Sequence, residues 1–175
     1  MSRIDADLFN RVTRNMKDTD EYLIAQVGGI QLGIYCRDVK NVYSQNMKLV
    51  RLFYQDQIFR GIARINGQIM QIIDLRRRIN MDAESESECL TVISFQTEMA
   101  KTIAMVVDHI DGMKTIRQEQ LCSQNANLNN ARDNINLLFP MVAVMEDGRL
   151  IHLLDSTYLD KLEPISEEAG DLEFF

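Results

Sequence analysis

Few side chains in this chain are of types that carry out reactions, and their spacing assembles no reactive set. There are two histidines, His109 and His152. Neither stands in an HExxH pattern, and Cys36, Cys89 and Cys122 lack the spacing that would complete a zinc site. No Gly-x-Ser-x-Gly elbow is present. Gly28, Gly29 and Gly33 are wrongly spaced for a phosphate loop, and no Lys-Ser or Lys-Thr follows them. Asp74 and Asp155 are the most conspicuous carboxylates, each closing an apolar run. Their residue type at that place predicts local capping of a helical turn rather than acid–base work. Arg76-Arg77-Arg78 is the sole basic run and reads as a solvated turn. The three cysteines are odd in number and read as buried apolar residues of a reducing compartment.

The elements that position these residues are strands. Residues 60–79, RGIARINGQIMQIIDLRRRI, read as two strands joined by Asn66-Gly67, a pair suited to the left-handed angles of a two-residue hairpin turn. The alternation of apolar residues is imperfect, which predicts that both faces of the hairpin are covered. The pattern recurs at 141–155, MVAVMEDGRLIHLLD, with Asp147-Gly148 as the turn. Gly67, Ile69, Ile73 and Asp74 align with Gly148, Leu150, Leu154 and Asp155 at one offset of 81. Upstream, LGIYCRDVKNV (32–42) aligns with IAMVVDHIDGM (103–113) at an offset of 71, placing Ile34, Val39 and Val42 over Met105, Ile110 and Met113. Two matches in the same order describe a duplicated β unit.

The rest of the chain fits that plan. Hairpin signals flank Gly28-Gly29, and Val39–Ser44 reads as a third strand. The second half supplies strands near 88–95, 99–107 and 110–116, and a short helix at 156–162. Leu128, Ala131, Ile135 and Leu138 fit one helical face in an Asn-rich stretch that holds the ten-residue insertion between the copies. Five short strands per half predict an all-β fold of two small barrels, one from about 21–80 and one from about 88–162, with short helices and a shared apolar interface. Residues 1–20 carry an apolar stripe of Ile4, Leu8, Val12 and Met16 and read as a docked helix, a partner-binding helix or a frayed leader. The acidic residues 163–175 read as a tail whose Phe174 and Phe175 are either inert or a docking motif. Leu52, Phe53 and Tyr54 read as a contact surface or as a lid folded back on the barrel.

Composition narrows the function. The net charge of −7 argues against nucleic acid, whose phosphates require clustered Lys and Arg. No apolar run approaches the roughly 18 residues of a membrane span, and the charged N-terminus lacks a signal-peptide pattern. No cofactor or metal is implied. A duplicated β scaffold without convergent reactive groups points to binding rather than catalysis.

RGIARINGQIMQIIDLR, IAMVVDHIDGM and RLIHLLDSTYL, in this order and spacing, resemble the signature stretches of the CheW-like adaptors of bacterial chemosensory arrays. The resemblance spans about 21–162. It implies two intertwined five-stranded SH3-like barrels, no catalysis, and a cytoplasmic place at membrane-associated receptor arrays. The implied partners are the regulatory domain of a CheA-type histidine kinase and the cytoplasmic tips of chemoreceptors. The receptor-facing positions are Val39, Asn41, Val42, Asn66 and Gly67. Asn41 and Asn66 stand where the family usually has an acidic residue and an arginine, so a charge pair is replaced by two amides. An alternative is a CheW-like module of another pathway, surface motility or polar localisation, with other partners.

Overall fold

A computed structural model describes residues 19–50, 58–77, 89–95, 102–123 and 138–161. The strands are β1 (Thr19–Val27), β2 (Ile30–Tyr35), β3 (Val39–Asn46), β4 (Phe59–Ile65), β5 (Gln68–Ile73), β6 (Cys89–Phe95), β7 (Ile103–Val107), β8 (His109–Arg117), β9 (Leu121–Ser123), β10 (Met141–Val144) and β11 (Leu150–Leu153). Short 3₁₀ turns at Cys36–Asp38, Leu75–Arg77, Gln118–Gln120 and Ser156–Lys161 separate some of them.

The hairpin turns follow from residue type. Gly28 and Gly29 have φ of 58° and 78°, and Asn66 and Gly67 have φ of 48° and 82°. Both pairs therefore take the left-handed angles that match the twist of the flanking strands. The second copy differs. Met145 and Arg149 face each other across Glu146-Asp147-Gly148, and only Gly148 turns left-handed. The loop there has three residues rather than the two predicted.

The strands form two sheets, in the orders β8-β1-β2-β11-β10-β9 and β3-β6-β7-β5-β4. Equivalent strands of the two copies occupy equivalent places. Where β11 runs parallel to β2, His152 faces Leu32 and Leu153 faces Gly33. Where β5 runs parallel to β7, Gln71 faces Ile103 and Ile72 faces Ala104. These are the same contacts at the offsets of 81 and 71, which establishes the duplication in three dimensions.

Both sheets curl into barrels. The edge strands β8 and β9 are joined by only three residues, which span roughly 10 Å. In the other sheet, the chain leaving β3 reaches β4, where Val50 and Ile62 exchange two backbone hydrogen bonds of 2.9 Å. The result is two intertwined SH3-like barrels. The barrels do not divide the chain at residues 80–88, as one barrel per half would require. Each takes strands from both halves: β3, β4 and β5 join β6 and β7, while β1 and β2 join β8, β10 and β11. The chain changes barrel at Cys36–Asp38 and, in the second copy, at Asp108.

Three apolar clusters result. Met47, Ala63, Ile65, Met70, Ile72 and Val92 fill one barrel, and Tyr22, Ile24, Met141, Ala143, Ile151 and Leu153 fill the other. The largest cluster lies between them. There Leu32 and Ile103, Ile34 and Met105, and Ile73 and Leu154 enter as repeat-related pairs, as do Phe59 and Phe139 at the offset of 80 that the longer second loop sets for the strand before it. Burying each such side chain contributes about 1.5–3 kcal/mol, so the shared interface outweighs either interior.

Some expectations need correction. The β4–β5 hairpin is not covered on both faces: Arg64 and Gln68 are exposed, and Ile69 is 65% exposed. Its irregular pattern arises because only the Phe59–Ile73 end reaches the shared core. Thr19 and Asp20 belong to β1 rather than to a leader, and Asp20 is buried, accepting a hydrogen bond from the Tyr35 hydroxyl at 3.2 Å. Cys89 and Cys122 are exposed and Cys36 is half-buried, not packed in the core. The short strand β9 lies just before the Asn-rich stretch, whose predicted helical face is outside the described residues apart from the buried Leu138.

Candidate partner-binding surface

Strand β3 forms an edge of its sheet. Tyr43 turns inward and packs against that barrel's core, which sends Val42 outward, 44% exposed. Val42 faces Ile93, a member of the shared core. Val39, at the start of the strand, packs against the same core while half-buried. Both valines therefore stand on the rim of the junction between the barrels. Between them, Asn41 is exposed, and a register shift brings its carbonyl to the Ser94 hydroxyl, which donates at 3.2 Å.

Asn66 and Gly67 form the exposed tip of the β4–β5 hairpin in the same barrel. No hydrogen bond joins the Asn41 and Asn66 side chains among the described residues. Leu52, Phe53, Tyr54, Phe174 and Phe175 lie outside the described residues, as does residue 78 of the basic run.

The rim has a counterpart. Ile110 packs against the shared core as Val39 does. Met113 faces Leu23 and is 67% exposed, as Val42 is exposed opposite Ile93. Ile69 and Leu150, also repeat-related, are both exposed on the two closing hairpins, 65% and 50%. Met113, Ile69 and Leu150 were not singled out as surface residues from the sequence. The signal was available, since the repeat alignment places apolar residues at each of these positions.

The carboxylates have local partners. Asp74 is fully buried. It accepts hydrogen bonds from the Arg76 backbone N–H at 3.1 Å, from Arg76 Nε and Nη2 at 2.9 and 2.7 Å, and from Arg60 Nη1 at 3.3 Å. The capping role holds, but Arg76 is no solvated residue. Hydrogen bonding to Asp74 holds its guanidinium above the ordinary pKa despite partial burial. Burial lowers the pKa of His152, which sits edge-on to Phe139. His109 is exposed, 3.5 Å from Asp111. A polar cleft of about 620 Å³ lies beside Thr19, Thr115, Arg117 and Glu146, where Arg117 is paired with Glu119 and Glu146. Among the described residues, no group of three or more His, Cys, Asp or Glu side chains is placed to hold a metal ion. No helix among them is long and apolar enough to cross a membrane.

Two interlocked barrels with apolar rims at their junction define a β-barrel module built to present surfaces. The chain belongs to the CheW-like family: a family model described as CheW-like domain matches residues 21–161. Among solved structures, the fold is similar to that of the scaffolding protein TtCheW from Thermoanaerobacter tengcongensis. That likeness has a TM-score of 0.66 and 15% sequence identity, and covers 82% of this chain and 94% of the other. No curated protein sequence matches this one significantly.

Proposed function

We propose that this chain is a non-catalytic adaptor of a bacterial chemosensory array. It joins the cytoplasmic tips of chemoreceptors to the regulatory domain of a CheA-type histidine kinase. The observation that carries this reading is the CheW-like match over residues 21–161, which takes in both barrels. The name of the TtCheW scaffold and the apolar rim of half-buried Val39 and exposed Val42 support it. The place of action that follows is the cytoplasmic face of membrane-associated arrays.

The receptor-facing residues are Val39, Asn41, Val42, Asn66 and Gly67. The two asparagines stand where the family resemblance puts opposite charges. Replacing both members of an ion pair removes the attraction without stranding a charge. This surface therefore keeps its apolar grip and loses its ionic one, and receptor coupling is the weaker of the two contacts.

Purified protein captured with the cognate kinase regulatory domain and with a receptor-tip fragment tests the reading. The kinase domain is expected to bind well and the receptor weakly. Asn41→Glu and Asn66→Arg together are expected to strengthen receptor binding about tenfold, equivalent to roughly 1.4 kcal/mol. Either change alone gains less. Binding of neither partner overturns the adaptor reading.

A further inference from the structure

Asp108 is the single residue between β7 and β8, where the chain passes from one barrel to the other. Its backbone belongs to the β1 side: its N–H donates to the Gln26 carbonyl at 2.8 Å. Its side chain serves both barrels. Oδ2 accepts the Gly28 N–H at 2.6 Å, holding the β1–β2 turn. Oδ1 accepts Arg76 Nη1 at 2.8 Å, holding the 3₁₀ turn that follows β5 in the other barrel.

Arg76 arrives at this contact already oriented. Its Nε and Nη2 form a fork on the buried Asp74 carboxylate, which Arg60 also grips. A guanidinium held on two corners has little freedom at the third. The chain Arg60–Asp74–Arg76–Asp108–Gly28 thus runs without a break from one barrel to the other. From the buried Asp74 outward its members grow more exposed, 13% at the Arg76 side chain and 37% at that of Asp108.

The other crossover is tied differently. At Cys36–Asp38 the Ser156 hydroxyl donates to Asp38 Oδ2 at 2.7 Å. That contact involves one charge rather than two.

We propose that Asp108 is a positioning residue for partner binding. By bridging Gly28 of one barrel to Arg76 of the other, it sets the relative placement of the barrels and so the shape of the apolar rim at their junction. This role rests on the adaptor reading above. Asp108 itself need not touch a partner; it preorganises the surface that does.

The molecule carries its own reporters for the test. Cys89 and Cys122 are both exposed, one on each barrel. Spin labels on these two residues of the full chain, with Cys36→Ser as background, read the separation between barrels. In Asp108→Ala the distance distribution is expected to shift or broaden. Affinity for the kinase domain or receptor fragment should fall roughly fivefold or more, at a temperature where circular dichroism shows a fully folded chain. Asp108→Asn keeps an acceptor for Gly28 and loses the ion pair, so it should fall between wild type and alanine. Should Asp108→Ala not fold, Arg76→Lys loses the single Nη1 contact to Asp108 while keeping a cation beside Asp74, and carries the same expectation. Unchanged distances with weakened binding overturn the proposal, because Asp108 would then contact the partner directly. Changed distances with unchanged binding overturn it as well. A wild-type chain that binds neither partner overturns the adaptor reading and this role with it, while the label distances still report whether the bridge sets the barrel geometry.

Discussion

Asp74 and Asp155 hold the same place in the two copies and live in different surroundings. Each follows the closing strand of its barrel. Each donates its backbone N–H at 2.8 Å, Asp74 to the Ile58 carbonyl and Asp155 to that of Leu138. Each accepts the N–H two residues on at 3.1 Å, so both cap a 3₁₀ turn. Beyond the backbone they part. Asp74 is fully buried between Arg60 and Arg76. The repeat counterparts of those arginines are Pro140, at the offset of 80 that holds before the loop, and Thr157, at 81. Asp155 accordingly accepts from the Thr157 hydroxyl at 2.5 Å and stays half-buried. The backbone around each Asp is the same, and the choice of neighbouring side chain decides whether a carboxylate becomes a buried anchor or a half-buried cap.

This contrast predicts unequal costs at equivalent positions. Asp74→Ala leaves two arginines without their buried counter-charge and is expected to cost about 3–5 kcal/mol. Asp155→Ala loses a cap and the Thr157 hydroxyl bond but strands no buried charge pair, and is expected to cost about 1 kcal/mol. Urea unfolding of both variants measures the difference, and equal losses would break the comparison.

The parallel strand crossings give the next test. Gly33 and Ala104 are repeat counterparts, but a Cβ on Gly33 would lie 2.6 Å from Leu153 Cδ2 and 3.0 Å from Ile151 Cγ2. Gly33→Ala is expected to destabilise by about 1–3 kcal/mol through overpacking. The reverse change, Ala104→Gly, removes one buried methyl group and costs about 1 kcal/mol. Thermal unfolding separates the two.

The hairpin tips should behave alike despite their different lengths. Gly67 and Gly148 have φ of 82° and 81°, and a Cβ would meet open space at either. Backbone angle alone then sets the cost, about 1 kcal/mol for alanine at each. A marked inequality would mean that loop length matters as well.

The smallest effect falls at the crossover tied by Asp38. Burial raises its carboxyl pKa, and the nearby Asp155 charge adds to this against the Ser156 hydrogen bond. The folded state therefore holds this proton more tightly than the unfolded one. Stability is lost as pH rises from the ordinary carboxylate pKa through the raised one. Asp38→Asn is expected to stabilise the protein at neutral pH by a few tenths of a kcal/mol, since solvent screens a partly exposed group. The gain should vanish at pH values below the ordinary carboxylate range. Unfolding free energies across an acid-to-neutral series check both statements.

Much of the fold was legible because its signals are local. Gly28-Gly29 and Asn66-Gly67 announce their turns through the left-handed angles these residues tolerate. The runs of β-branched residues between them announce strands. The repeat was legible because the turns and Asp residues that punctuate it recur at constant offsets. The two barrels could be expected from strand number, and the buried interface from the apolar share of 46%. The candidate surface was legible only in part. Val39 and Val42 lie on an exposed rim, but their counterparts Ile110 and Met113 did not stand out, because an apolar residue in a strand reads as core until its neighbours are known. The exposure of Cys89 and Cys122 is hidden in the sequence for the same reason.

By itself the sequence determined the units: which residues turn, which extend, and that one β plan was written twice. Those outcomes depend on backbone sterics and on contacts between near neighbours in the chain. Only the tertiary structure decided how the copies share their strands, with β3 and β8 each crossing to the other barrel, because pairing between distant segments leaves no periodic trace. It also decided that Asp74, Arg76 and Asp108 meet. Charges 32 and 34 residues apart in sequence become partners only when the crossover between barrels brings them within 3 Å of a shared guanidinium.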